Sequence, residues 1–193
     1  MPARPVSGLS QAECALRTSR LKLDLVSPDD ADVYHPLMAD GALTRFLAWA
    51  PHADVAQTRR VLCSLAAARD ADRGVHWAIR TAGGTLTGLV SLIDLRYRHL
   101  TWRLERAELA YWIRPDEQGQ GYATEAGRAV LDFAFSHVGL HKVLVAHATG
   151  NGASAAVAQR LGFSEVGTYR QAFEKDGIWH DLLYYERLAS EHP

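Results

Sequence analysis

Apolar residues recur along the chain with two different periods, which predicts a mixed α/β domain. In segment 123–138 they fall at the intervals of one helical face, and Gly139 supplies a stop signal. Segment 54–70 opens with a capping residue and predicts a second long helix. A third helix is predicted from Ser27 toward Met38, and Pro36 is expected to kink or shorten this helix. A fourth helix is predicted from Asn151 to Gly162.

Seven other segments have the alternating or continuously apolar pattern of strands: 21–25, 75–80, 85–95, 106–114, 142–147, 165–169 and 181–187. The long helix between the fourth and fifth of them predicts that these two strands are parallel. Residues 1–17 contain proline, glycine and serine without a clear period. We therefore expect a flexible N-terminal arm over residues 1–17 and a single domain over residues 18–193.

Composition excludes several classes of protein. The 193 residues carry 21 Lys and Arg against 22 Asp and Glu, a net charge of -1, which argues against a nucleic-acid-binding protein. No run of eighteen apolar residues predicts a membrane helix, and the N-terminus has no signal-peptide pattern. The two cysteines, Cys14 and Cys63, form no ligand cluster, so we expect a cytoplasmic protein without a metal site.

Two glycines stand where the fourth strand gives way to the long helix. Gly119 and Gly121 permit backbone conformations that a Cβ would obstruct, so successive amides can point at one anion, and the helix N-terminus adds to the attraction. A dinucleotide fingerprint would need a third glycine at Thr124, and no Gly-Lys-Ser/Thr follows for a P-loop. The turn therefore predicts a site for some other phosphate-bearing cofactor.

Residues 118–123, Gln-Gly-Gln-Gly-Tyr-Ala, resemble the Gln/Arg-x-x-Gly-x-Gly/Ala signature of the GNAT N-acetyltransferases, whose amides hold the pyrophosphate of acetyl-coenzyme A. The resemblance continues at 108–113, 151–154 and 161–163, covers about residues 18–188, and points to the RimJ/RimL-type branch, which acetylates N-terminal amines of ribosomal proteins and related substrates. It implies an α/β GNAT fold: a mixed, mostly antiparallel sheet of about seven strands, a V-shaped splay between the fourth and fifth strands, and helices on both faces.

The resemblance also implies which residues bind acetyl-coenzyme A. The pantetheine arm is expected in the V, along the open edge of strand 106–114, and a β-bulge near Tyr111 is expected to aim an amide at the thioester oxygen. The implied coenzyme-binding residues are Tyr111, Trp112, Ile113, Gln118, Gly119, Gln120, Gly121, Tyr122, Ala123, Thr124, Asn151 and Ser154.

Two residues are implied to be catalytic, and each has an ordinary structural alternative. Glu108 matches the general base of many family members, but a strand carboxylate can equally be a surface acid. Ser154 matches the hydroxyl that donates to the departing thiolate, or it caps its own helix. Asn151, likewise, either contacts the coenzyme or forms an ordinary turn.

The leading functional hypothesis is an acetyl-coenzyme A-dependent N-acetyltransferase that uses direct attack in a ternary complex. The expected acceptor is a protein or peptide N-terminal α-amine, and a homodimer is suggested by resemblance only. A small amine (polyamine, amino acid or aminoglycoside) is the alternative acceptor, and a non-catalytic acyl-coenzyme A-binding module is the alternative class. Arg96, Arg98, Arg103 and Arg106, in and beside an expected loop at 96–102, favour a peptide or an acidic acceptor.

Overall fold

The computed structural model describes Leu9 and residues 14–193. Its strands are β1 (Leu16–Arg17), β2 (Leu21–Leu25), β3 (Val75–Thr81), β4 (Leu86–His99), β5 (Trp102–Ile113), β6 (Lys142–Ala148), β7 (Ser164–Lys175) and β8 (Ile178–Leu188). They form one sheet in the order β1-β2-β3-β4-β5-β6-β8-β7. Every neighbouring pair is antiparallel except β5 and β6, which are parallel as predicted.

The helices are α1 (Ala31–Met38), α2 (Gly41–Thr44), α3 (Val55–Asp70), α4 (Tyr122–Asp132) and α5 (Gly152–Arg160). The Asp54 side chain caps α3 by accepting from the Gln57 amide, at 2.6 Å. Pro36 lies inside α1, which ends two residues later. Beyond α4 the chain continues as a π-helical turn, Phe133–Val138, and stops at Gly139 with φ of 78°, so the predicted long helix exists but changes its winding in its last third.

Two apolar cores lie on opposite faces of the sheet. One packs α4 against the sheet and includes Leu109 and Val130. The other lies beneath the α1 to α3 segment and includes Tyr34, Leu62 and Trp112. Because successive residues of a strand point to opposite faces, Leu109 and Trp112 of β5 enter different cores. The predicted arrangement of helices on both faces is confirmed.

The sheet opens between β5 and β6, as the fold class predicted. These strands pair only at Arg106–Lys142, Ala107–Val143 and Glu108–Leu144. Beyond that point β5 continues to Ile113 and β6 to Ala148 without pairing to each other. Backbone donors and acceptors on the facing edges are therefore left for another partner.

One expected loop turned out to be mostly strand. Segment 96–102 belongs mostly to a long β4–β5 hairpin that turns at Leu100 and Thr101, and β8 begins at Ile178, before the predicted start of the last strand at residue 181. The β7–β8 hairpin also extends to Lys175 and Ile178. Charged and aromatic residues are exposed along much of these extensions, so their sequence lacks the apolar alternation that marks a half-buried strand.

The expected bulge near Tyr111 is absent, because Leu109 to Ile113 pair with β4 in regular register. The register shifts lie lower in the hairpin instead, where Asp94 and Leu95 oppose Ala107, and again near Glu105. Asp94 and Glu105 have φ of 48° and 44°, a backbone conformation typical of bulges.

Part of the predicted N-terminal arm lies outside the described residues, namely residues 1–8 and 10–13. Leu9 and Cys14 are buried in the core beneath α4. Leu16 and Arg17 form β1, which pairs with β2 and makes the sheet one strand larger than the predicted seven. A two-residue strand is too short to produce a detectable alternation in sequence.

Candidate coenzyme and acceptor site

A cavity of about 1000 Å³ lies at the opening between β5 and β6, bordered by the starts of α4 and α5 and by the segment after α2. Residues from all the predicted coenzyme-binding segments line it: Tyr111, Trp112, Ile113, Gln118, Gly119, Gln120, Gly121, Tyr122, Ala123, Thr124, Asn151 and Ser154. Its volume is in the range of small-molecule and cofactor sites. Glu108 is not among its lining residues.

The glycine turn forms one end of this cavity. Gly119 and Gly121 have φ of 77° and 81°, a conformation that residues with a Cβ rarely adopt. Gly121 is the N-cap residue of α4 and offers no side-chain hydrogen bond. The first hydrogen bond of the helix runs from the Glu125 amide to the Gly121 carbonyl, at 3.0 Å. The amides of the first helical turn therefore have no partner within α4 and face the cavity at the positive helix end.

Gln118 uses its backbone and side-chain amides within the protein, unlike the amides that follow it in the turn. Its amide donates to the Pro115 carbonyl at 3.4 Å, and its side-chain amide donates to the Ile113 carbonyl at 3.0 Å. These contacts fix the start of the turn against the end of β5. The amides available to an anion therefore begin after Gln118.

Arg20 fixes the turn from a position 100 residues away. Its guanidinium donates to the Gln120 carbonyl at 3.1 Å, pairs with Glu125 at 2.6 Å, and lies 4.8 Å from the centre of the Tyr122 ring. Burial alone would raise the pKa of Glu125, but hydrogen bonds from Thr18 and Arg20 and the charge of Arg20 outweigh it, so that pKa lies below its usual value. No local pattern could have predicted this contact, because the partners belong to separate segments of the chain.

Tyr111 and Ser154 meet at the other end of the cavity. The Tyr111 hydroxyl lies 2.9 Å from the Ser154 hydroxyl and donates to the Ser154 carbonyl at 3.1 Å. The cap of α5 is Asn151, whose side-chain oxygen accepts from the Ser154 amide at 3.2 Å. The alternative that Ser154 caps its own helix is therefore wrong. Asn151 lies in a turn, where its amide donates to the Ala148 carbonyl at 2.8 Å, and it also borders the cavity.

Burial raises the pKa of Tyr111 to about 12, against the smaller opposing effect of its hydrogen bond to Ser154. The phenol therefore keeps its proton at neutral pH and remains a donor. Sequence reasoning assigned Tyr111 only to the coenzyme through its backbone. The contact with Ser154 could have been suspected only by knowing that α5 packs beside this stretch of β5.

Glu108 lies on the opposite face of β5 from Tyr111, at the last pair before the splay. It is half-buried, and burial raises its pKa; the negative charge of Asp94 raises it further, while Arg106 opposes the shift. Glu108 also affects Tyr184 of β8 electrostatically, and the ring of Tyr184 lies 4.6 Å from that of Tyr169. Glu108 is thus partly withdrawn from solvent, and its role as a base remains a prediction.

The side chains of His52 and His180 have structural partners. His52 is buried with its Nδ1 2.9 Å from the Thr58 hydroxyl, and burial followed by the charge of His35 lowers its pKa. His180 stacks on Phe173. Across Leu9 and residues 14–193, no three His, Cys, Asp or Glu side chains converge as a metal site, and no helix there is both long and apolar enough to span a membrane.

Two of the clustered arginines have acidic partners on their own strands. Arg96 pairs with Asp94 at 2.7 Å, and Arg103 pairs with Glu105. Their charges are largely neutralised locally, so the sequence argument that this hairpin favours an acidic acceptor loses much of its weight.

The open mixed sheet, splayed beside a glycine turn that starts a helix, is the architecture that the resemblance to the GNAT acetyltransferases implied. Residues 20–164 match the family model described as acetyltransferase (GNAT) domain. This match covers most of the chain. The chain belongs to the GNAT acetyltransferase family.

The similar proteins include a putative ribosomal N-acetyltransferase and a spermidine acetyltransferase. A putative ribosomal N-acetyltransferase of Bacillus subtilis, YdaF, is 37% identical over 108 residues, 56% of this chain and 56% of that protein. A spermidine N(1)-acetyltransferase of Vibrio cholerae is 30% identical over 117 residues, 61% of this chain and 65% of that protein. These matches thus span less than two thirds of each relative.

A solved structure supports the same fold. The ribosomal L7/L12 α-N-protein acetyltransferase RimL in complex with coenzyme A superposes with a TM-score of 0.81 at 22% identity. The superposition covers 93% of this chain and 99% of that chain. The predicted RimJ/RimL-type likeness of the fold is confirmed.

Proposed function

We propose that the chain transfers an acetyl group from acetyl-coenzyme A to a primary amine, most simply the N-terminal α-amine of a peptide or protein, by direct attack in a ternary complex. The observation that carries this proposal is that the two ends of the cavity present different polar groups. Unpartnered amides at the start of α4 form one end, and the Tyr111–Ser154 hydroxyl pair forms the other. The first suits a diphosphate and the second a departing thiolate.

Acetyl-coenzyme A supplies the acetyl group as a thioester, and the chain's own residues manage charge and protons around it. The amide cradle after Gln118 holds the diphosphate. Glu108 accepts the proton released when the amine forms its bond to the acetyl carbon. As the carbon–sulfur bond breaks, the Tyr111–Ser154 pair donates a proton to the sulfur, leaving an amide and a free thiol. Solvent then restores the proton of the hydroxyl pair and removes that of Glu108.

The positions of Glu108 and Tyr111 support this division of work. They occupy opposite faces of β5, at the point where β6 separates from it. An acceptor can thus approach from the Glu108 face while the thioester lies between the strands and its sulfur points toward α5. A base and an acid separated in this way do not neutralise each other before the reaction.

A peptide α-amine places modest demands on this base. With a pKa of about 7.7–8.0, roughly a tenth of such amines are already neutral at pH 7, whereas only about one in several thousand lysine-like amines is. Glu108 therefore needs to remove a proton mainly during attack. The name of the Bacillus subtilis relative is consistent with this acceptor class.

A polyamine is the second candidate acceptor. Glu108 and Asp94 place carboxylates on the acceptor face, beside the Tyr169–Tyr184 ring pair, and aromatic faces with carboxylates suit an ammonium group. The spermidine acetyltransferase relative carries the same suggestion.

The test is thiol release from acetyl-coenzyme A with three acceptors: a peptide, the same peptide with a blocked N-terminus, and spermidine. We expect release with the free peptide and none with the blocked one. Release with spermidine alone would replace the proposed acceptor. No release with any amine would leave the non-catalytic acyl-coenzyme A-binding interpretation in its place.

The thiolate-side assignment has its own test. Tyr111→Phe and Ser154→Ala should each lower kcat about 10- to 100-fold while acetyl-coenzyme A affinity changes less than about twofold, because each removes one donor needed only during reaction. The double variant should lose little more than the worse single one, since the two hydroxyls act together. Unchanged kcat in both single variants would refute the assignment.

A further inference from the structure

We propose that Lys175 is a positioning residue that fixes the acceptor-side wall of the cavity. Its ammonium donates to three backbone carbonyls, those of Thr44, Leu47 at 2.8 Å and Trp49 at 3.2 Å. These acceptors lie more than 120 residues earlier in the chain. This inference rests on the proposed function, because it concerns how that site admits the amine.

The number of donors matches the number of acceptors. An ammonium has three N–H groups, and all three can be used at once by these carbonyls. The segment that follows α2 has no regular helix or strand until α3 begins at Val55. The Thr44 carbonyl, at the end of α2, also accepts from the Leu47 amide at 2.9 Å. Lys175 adds a second donor to this carbonyl and binds the carbonyls of Leu47 and Trp49, so one ammonium joins three points of the segment.

Lys175 is the last residue of β7, directly before the turn of the β7–β8 hairpin. It pairs with Ile178 across a two-residue turn of Asp176 and Gly177, whose φ angles are 53° and 77°. Positive φ at both positions is the conformation of a tight hairpin turn that matches the twist of its strands. The hairpin therefore provides a fixed anchor for the segment after α2.

The anchored segment supplies part of the cavity wall, since Arg45, Phe46 and Leu47 line it. Phe46 lies near the end of the cavity that contains Tyr111 and Ser154. A Cβ built on Gly150, which directly precedes Asn151, would lie 3.8 Å from the Phe46 ring. The three carbonyls bound by Lys175 bracket Phe46 on both sides. Lys175 thus fixes the wall beside the reacting atoms, far from the glycine turn that Arg20 holds.

The test compares the wild type with Lys175→Met, which keeps the length of the side chain but removes its donors. Lys142→Met is the matched control, because Lys142 pairs with Glu186 and contacts no part of the wall. The measurements are acceptor KM, kcat, acetyl-coenzyme A affinity and amide hydrogen exchange of residues 45–50. The acceptor is whichever of the free peptide and spermidine the wild type acetylates.

For Lys175→Met we expect about a tenfold rise in acceptor KM, because three charge-assisted hydrogen bonds are lost. Acetyl-coenzyme A affinity should change less than about twofold, and exchange in residues 45–50 should accelerate relative to Lys142→Met. Phe46→Ala should raise acceptor KM in the same direction without accelerating that exchange as strongly.

Three outcomes would overturn the proposal: an acceptor KM equal to that of Lys142→Met, unchanged exchange in residues 45–50, or equal weakening of acceptor and acetyl-coenzyme A binding. The last would show a general loss of structure rather than positioning. A wild-type protein that acetylates no amine contradicts the proposed function, and with it this inference. Unaltered acceptor KM in Lys175→Met contradicts the inference alone.

Discussion

The two ends of the cavity are built in different ways. The glycine turn draws nearly all its groups from one stretch, residues 117–125, with Arg20 as a distant support. The other end assembles Tyr111 from β5, Ser154 from α5 and Phe46 from the segment after α2, while Glu108 lies outside the cavity lining on the opposite face of β5. The first end is local in sequence, and the second exists only in the folded chain.

This difference predicts different responses to mutation. A cradle of backbone amides depends on local conformation and is damaged by changes that a side chain imposes on the turn itself. An assembly of side chains from separate elements depends on packing, so residues at its periphery can alter it. Binding of acetyl-coenzyme A should follow the first end, and turnover and acceptor binding the second.

The largest expected effect concerns the local end. Gly121→Asp should weaken acetyl-coenzyme A binding more than about 100-fold, because it places a carboxylate beside the amide cradle where the diphosphate is expected. The change also strains a backbone with φ of 81°. Isothermal titration calorimetry measures the affinity.

Gly121→Asn separates charge from strain, since asparagine tolerates this conformation better than most residues and carries no charge. We expect it to retain most of the affinity that Gly121→Asp loses. Equal affinity of Gly121→Asp and the wild type would remove the diphosphate from this turn and sink the whole assignment.

An intermediate effect is expected at the assembled end. Glu108→Gln should lower kcat/KM about 100-fold at neutral pH, because it removes the base. Burial, followed by the charge of Asp94, raises the pKa of Glu108, so wild-type activity should fall as pH drops through a value above that of an ordinary carboxyl. The variant should lack this acidic limb. A pH profile of kcat/KM measures both.

Stability should move in the opposite direction. A carboxyl whose folded pKa is raised contributes stability below its unfolded pKa, and that contribution is lost as pH rises through the folded value. At neutral pH the charged Glu108 is therefore a cost, and Glu108→Gln should raise Tm while activity falls. Glu165→Gln, at an exposed site on β7, is the control and should change neither Tm nor activity.

Parallel pH profiles of kcat/KM for Glu108→Gln and the wild type would exclude Glu108 as the base.

The smallest effect is expected from Arg20, which supports the turn without forming it. Arg20→Met should weaken acetyl-coenzyme A binding about 3- to 10-fold and leave acceptor KM unchanged. Its partner Glu125 has a lowered pKa, so the pair stabilises the fold above the unfolded pKa and loses that effect as pH falls through the folded one. The stability loss should be within about 1 kcal/mol at neutral pH, since Arg20 is half exposed.

Arg59→Met is the matched control for Arg20, because Arg59 pairs with Asp32 at 3.5 Å on an exposed surface away from the cavity. It should leave acetyl-coenzyme A affinity unchanged. A loss of affinity in Arg59→Met as large as that in Arg20→Met would mean that the effect reflects overall charge rather than contact with the turn.

Much of the fold followed from local pattern. Caps and apolar periodicity predicted the helices in segments 54–70 and 123–138, and Gly119 and Gly121 predicted the glycine turn. The hairpin extensions were missed because charged and aromatic residues are exposed along much of them, so their sequence lacks a clear apolar alternation. The bulge was misplaced because a register shift depends on the partner strand.

Most helices and strands, the glycine turn and the family resemblance could be predicted from the amino-acid sequence, because each depends on residues close together along the chain. Only the tertiary structure brought Arg20 to the turn, Tyr111 to Ser154 and Lys175 to the wall around Phe46. Such contacts join residues that are 43 to 131 positions apart in the chain. Their pairing is set by sheet register and core packing, which local periodicity does not encode.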